Sequence, residues 1–134
     1  MSKTHVVAAI IQNDHKFLLG KRSLQKMSSP GKWSPISGRV EIGESEEEAL
    51  ERECFEEIGL TVKAEKKVFE FDIDDGKTRI HWWTANVISG EAFLKNDEHT
   101  ELRWFSNGEL DQEQNINRED LIAFRDFSKR ALPL

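Results

Sequence analysis

Residues 38–60 read GRVEIGESEEEALERECFEEIGL, and this stretch decides the fold. Ser45 stands where a helix N-cap belongs, with Glu48 three residues on. That pairing lets each side chain bond the other residue's backbone N–H. Glu46, Glu47 and Glu48 fill the first turn, where the helix dipole favours negative charge. Gly59 follows at the position where a left-handed C-terminal cap favours a residue without a Cβ. The spacing predicts a helix over 46–58. Leu50, Cys54 and Ile58 repeat at i, i+4, i+8 as its apolar stripe, and Glu53, Glu56 and Glu57 occupy a neighbouring sector roughly 100° wide. Carboxylates crowded beside a core repel one another, and Arg52 is the only base on the helix. Hard cations, which prefer carboxylate oxygen, relieve that repulsion. A solvated acidic face is the alternative that spacing alone leaves open.

The charge distribution isolates this segment. It holds nine glutamates against two arginines, whereas the whole chain has 25 acids and 19 bases and a net charge of −6. The remainder is therefore close to neutral, which excludes a broad basic nucleic-acid face. A length of 134 residues predicts a single domain over 1–134. Eight Phe and four Trp argue against disorder. One cysteine, Cys54, excludes an internal disulfide framework and a cysteine-cluster zinc site. The apolar run Val6–Ile11 is too short for a signal-peptide core or a membrane span, so a cytoplasmic protein is expected.

Outward from the helix, His5–Gln12 is a β-branched apolar run that reads as a buried strand. It turns at 13–15 into a second strand over Lys16–Arg22, and 23–32 is a loop. Beyond the helix, strand character is strongest in the second half of 61–71. A turn over 74–77 leads into Thr78–Ile88. Further strands are expected at 91–95 and 102–105, a short helical turn near 108–110, and a last helix over 118–131 capped by Asn117. This order predicts a mixed sheet with helices packed on it.

The string Gly38, Glu44, Arg52-Glu53-Cys54, Glu56-Glu57 and Gly59-Leu60 resembles the Nudix box, G-x5-E-x7-R-E-U-x-E-E-x-G-U, with U a bulky aliphatic residue. Every polar and glycine position matches, and Cys54 stands at the first aliphatic one. The preceding hairpin, the Gly-Lys-Trp before the box, the strand ending in Leu-Arg-Trp-Phe and the last helix follow the order of MutT-like Nudix domains. The chain departs from them before the box, where Pro35-Ile36-Ser37-Gly38 replaces Pro-Gly-Gly.

The resemblance implies an α/β/α sandwich, an α+β fold with a mixed sheet between helices. It implies hydrolysis of a nucleoside diphosphate linked to another moiety, such as a nucleoside triphosphate, oxidised or not, or a nucleotide sugar. A nucleotide-binding module without hydrolysis is the alternative. It implies Mg²⁺ or Mn²⁺ on Glu53, Glu56 and Glu57, with Glu53 a base or water-orienting group, Glu44 supporting the metal and Arg52 orienting a glutamate. The Ser37 carbonyl is a further ligand, Gly38 a tight-turn residue, and Glu98 or Glu101 the distal-loop acid, with Glu98 favoured. Arg22 and Lys21 are weighed as phosphate contacts, and Trp33, Trp82 and Trp83 as stacking surfaces or core. The expected partner is a small nucleotide, without a membrane, and the oligomeric state stays open between monomer and homodimer.

Overall fold

The computed structural model describes residues 3–131. The elements are β1 (Thr4–Asn13), β2 (Lys16–Arg22), β3 (Trp33–Ser34), β4 (Ile36–Arg39), α1 (Glu46–Ile58), β5 (Thr61–Ile73), β6 (Thr78–Ser89), β7 (His99–Phe105), α2 (Asn107–Gln112) and α3 (Arg118–Ala131). They form a mixed α+β fold around a seven-stranded sheet. The main path runs β3-β2-β1-β6-β5, with β4 also on β1 and β7 also on β2. The β1–β6 pair is parallel, from Thr4–Thr78 to Ile11–Ala85, and the other pairings of named strands are antiparallel.

β1 explains the layering. Its alternate side chains enter two cores. Val7, Ala9 and Ile11 pack with Ala49, Leu50, Cys54 and Ile58 of α1, while Ala8 and Ile10 pack with Phe17, Trp82 and Phe124 of α3. A strand buried on both faces needs an unbroken apolar run, which β1 has. Phe124 meets Trp82 edge-on at 5.5 Å between ring centres and Phe17 at 5.1 Å, locking α3 to the sheet.

Local signals set the turns and caps. Asp14 and His15 both have positive φ (49° and 62°), which fits the twist of a two-residue hairpin. Ser45 and Glu48 exchange both capping-box bonds, at 3.1 and 2.9 Å. Gly59 caps α1 at φ 71°. A second capping box, between Ser106 and Glu109, starts α2.

Four expectations need correction. Residues 91–95 form no strand. The Phe93 and Lys95 N–H groups donate to the Ile58 and Glu57 carbonyls, so the segment satisfies the C-terminus of α1 instead of pairing with the sheet. β5 is strand from Thr61 onward, with three register shifts against β6. β7 begins at His99 instead of Leu102. The Asn117 side chain donates to Ser29 Oγ at 2.7 Å, fastening the 23–32 loop, and α3 takes only the Asn117 backbone carbonyl. Among the described residues no helix is long and apolar enough to cross a membrane.

Candidate functional site

α1 sits with one flank against β4, and this contact builds the site. Gly38 on β4 lies under Glu53, so closely that a Cβ at position 38 would overlap the Glu53 carboxyl carbon. Beside them opens a cleft of about 820 Å³, within the roughly 300–1,000 Å³ range of small-molecule sites. Glu53 and Glu57 line it together with Ser37, Gly38, Arg22, Lys26 and Glu98. Ile80 and Trp82 form an apolar wall, and Asn117 and Asp120 add polar groups.

Arg52 organises the acids. Its guanidinium has five N–H donors, and five hydrogen bonds leave it. Nε and Nη2 reach Glu44 at 2.7 and 3.0 Å, Nη1 reaches Glu53 at 2.8 Å and Glu56 at 3.2 Å, and Nη2 reaches the Arg39 carbonyl at 3.0 Å. The two-pronged grip on Glu44 fits planar guanidinium geometry. The Arg52 bond, set against burial, holds the Glu44 carboxyl below its ordinary value. The Glu44 and Glu53 carboxylates in turn raise Arg52 further beyond its already high range.

Glu57 is 4% exposed. Its Oε1 lies 2.8 Å from Nε2 of His99, itself 5% exposed. Its Oε2 has no hydrogen-bond partner among the described residues. Burial, then the neighbouring Glu57 carboxylate, push the Glu53 carboxyl up to about 8. Burial also pushes Glu57 up to about 7. Burial lowers His99 to about 4, so its ring is neutral near pH 7. Two adjacent carboxyls that resist ionisation, one with an orphaned buried oxygen, lack positive charge. The all-oxygen donor set fits a hard divalent cation such as Mg²⁺ or Mn²⁺.

Not every expected residue joins that pair. Glu56, with 53% of its side chain exposed, turns to Arg52 and does not line the cleft. Among the described residues no three His, Cys, Asp or Glu groups gather at metal-ligating spacing. Glu98 lines the cleft but pairs with Lys26. Each of these acids is drawn to the cation in its reach. Glu101 is exposed on β7, outside the cleft. Trp33, expected at the substrate, does not line the cleft. It is 4% exposed and packs edge-on against Phe105 at 5.0 Å, so its face is spent in the core. Trp82 is core but touches the cleft, and the Trp83 indole donates to Glu46 at 2.8 Å. Arg22 lines the cleft, braced by Ser28 at 2.8 and 3.0 Å. Burial pushes the Cys54 thiol far up, which removes it as a nucleophile.

Sequence reasoning missed His99, Lys26 and Asp120. The first two act over long range: His99 meets Glu57 from 42 residues away and Lys26 meets Glu98 from 72. Asp120, in the first turn of α3, is pushed up to about 7 by burial and then by Glu119.

Comparison with known proteins follows the same lines. The sequence model of the NUDIX domain matches residues 1–127. The CTP pyrophosphohydrolase of Escherichia coli strain K12 is 35% identical over 106 residues, covering 79% of this chain and 78% of that protein. The nucleoside triphosphatase NudI of Escherichia coli O139:H28 is 44% identical over 122 residues, covering 82% of this chain and 86% of that one. The solution structure of the E. coli ORF135 protein is 32% identical with a TM-score of 0.75, covering 98% of this chain and 93% of that chain.

Proposed function

The chain belongs to the NUDIX-domain family of hydrolases, and from that premise we propose that it hydrolyses a phosphoric anhydride bond of a nucleoside triphosphate in the cytoplasm, with a divalent cation held by Glu53 and Glu57. The observation that carries this reading is that carboxyl pair, lining a cleft of nucleotide size with one buried Glu57 oxygen left without a partner among the described residues. The names of the relatives, a CTP pyrophosphohydrolase and a nucleoside triphosphatase, support a triphosphate over a nucleotide sugar.

The residues divide the work. Arg22 and Lys26, which line the cleft with Glu57, bind the phosphates, whose charge is opposite to theirs. Ile80 and Trp82 take the apolar faces of the nucleoside, with Asn117 and Asp120 as hydrogen-bonding groups. Glu53 and Glu57 would hold the cation, with Glu98 in the same cleft as a further oxygen donor. Ser37 and Gly38 line the same cleft, and the Ser37 carbonyl would be a further ligand. A cation bound there would neutralise phosphate charge and make its bound water more acidic. Glu53, aimed into the cleft by Arg52, would orient the attacking water and take up its proton. Water oxygen bonds to phosphorus as the anhydride P–O bond breaks, leaving two phosphorylated products. Arg52 and Glu44 touch no substrate and keep Glu53 aimed.

The test is release of pyrophosphate or phosphate from a panel of nucleoside triphosphates, nucleotide sugars and dinucleoside polyphosphates, with Mg²⁺ and with chelator. Cation-dependent turnover, highest on a triphosphate, is expected. Tight nucleotide binding with no turnover under any divalent ion would make the protein a binding module instead.

A further inference from the structure

β7 contains an irregularity that changes which side chain reaches α1. Leu102 and Trp104 pack in the core beneath α1, and Phe105 in the opposite one, as alternation along a strand requires. Continued unbroken, that alternation would give position 100 to the α1 face and turn position 99 away. The pairing with β2 instead slips between Lys21 and Arg22, with Lys21 opposite Glu101 and Arg22 opposite His99. Such a bulge re-aims a side chain. Here it turns the His99 imidazole inward onto Glu57.

The neighbourhood is shaped for that ring. A Cβ on Gly20 would stand 2.5 Å from His99 Nδ1, so only glycine leaves the imidazole its place. The nitrogen Nδ1 has no partner among the described residues, whereas Nε2 lies 2.8 Å from Glu57 Oε1. A carboxylate holding a cation is ionised and can only accept, so Nε2 carries the hydrogen.

We infer that His99 is a positioning residue for the cation site: its Nε2–H fixes Glu57 Oε1 and leaves Oε2, the oxygen without a partner, for the metal. The inference rests on the reading that Glu57 holds the cation. The bond removes the carboxylate's freedom to rotate before the ion arrives. Outer groups of this kind are typically worth 10–100-fold in metal affinity. The device is built from three separated chain segments, β2, α1 and β7.

The experiment measures Mn²⁺ binding to the full chain without nucleotide, by the loss of the free-ion electron paramagnetic resonance signal. Wild type, His99→Leu, His99→Gln and Glu57→Gln are compared, with ¹⁵N NMR of the wild-type histidines. His99→Leu is expected to weaken Mn²⁺ binding about 10–100-fold. His99→Gln, whose amide N–H can take the place of Nε2–H, is expected to restore it. With saturating Mg²⁺, which keeps Glu57 ionised, the wild-type spectrum is expected to show the Nε2–H tautomer of His99. If His99→Leu binds as wild type does while Glu57→Gln is impaired, the inference is overturned alone. If wild type binds no Mn²⁺, the reading of the site falls and the inference with it. Should His99→Leu fail to fold, the wild-type tautomer decides, and an Nδ1–H form overturns the inference.

Discussion

Gly38 and Glu53 occupy adjoining space with no room for a methyl group between them. The backbone of β4 is thus the floor against which the Glu53 carboxyl is held, with Arg52 Nη1 on it at 2.8 Å. Gly38 is not required for a left-handed turn, since its φ is not among the positive ones. It is required for the close approach. Gly38→Ala is therefore expected to displace Glu53 without unfolding the sheet. A displacement on the order of 1 Å at a reacting group costs about 100-fold. Steady-state kinetics should show that loss in kcat/KM, with a melting temperature near that of wild type.

Arg52→Lys keeps the charge and loses the fork. A lysine ammonium has three donors at one point and cannot hold Glu44, Glu53, Glu56 and the Arg39 carbonyl together. Weakened orientation of Glu53 should raise the Mg²⁺ concentration for half-maximal activity by about 10-fold or more. A magnesium titration of the activity checks it. An unchanged half-point would show that Arg52 serves only the helix.

Stability of the cation-free protein should fall as pH rises from 6.5 to about 8. Glu53 and Glu57, raised from 4.5 to about 8 and about 7, keep protons in the folded state that the unfolded chain has already released. Fewer protons on the unfolded chain mean stability lost with rising pH. Asp120, raised to about 7, acts in the same direction. His99, lowered from 6.5 to about 4, acts oppositely, with its contribution lost as pH falls from 6.5 toward 4, so the carboxyl effect is cleanest above 6.5. A cation takes the place of the missing proton. Thermal melts should show Mg²⁺ stabilising the protein more at pH 8.5 than at pH 6.5.

Ser45→Ala removes the acceptor for the Glu48 N–H at the start of α1. A lost cap costs about 1 kcal/mol, which corresponds to roughly 4 °C in melting temperature at this size. Activity per folded molecule should be retained, because Ser45 is outside the cleft with Glu53 and Glu57.

What could be read in the sequence was local. Both ends of α1 are written in Ser45, Glu48 and Gly59, each acting within one turn, and the hairpin turns are set by residues beside them. The two-sided burial of β1 follows from its apolar run. What escaped was long-range or depended on facing. His99 reaches Glu57 because a bulge reverses its side, and no one-strand pattern carries that. Trp33 is adjacent to the cleft in sequence, yet its strand pairing with Lys21 points it into the core. Residues 92–94 are apolar like a strand, but the free carbonyls at the end of α1 claim the backbone first. Glu53 and Glu57 were legible as acids on one helix face. That Glu56 turns to Arg52 instead of joining them depends on side-chain partners that spacing does not specify.

On the proposed reading, Glu53 and Glu57 together hold a divalent cation against the phosphates. It is tested most directly by turnover of the preferred nucleoside triphosphate with saturating Mg²⁺, comparing wild type with Glu53→Gln and Glu57→Gln, each shown to be folded by its melting curve. Either variant is expected to lose nearly all turnover while folding normally. Turnover equal to wild type in folded Glu57→Gln would contradict it.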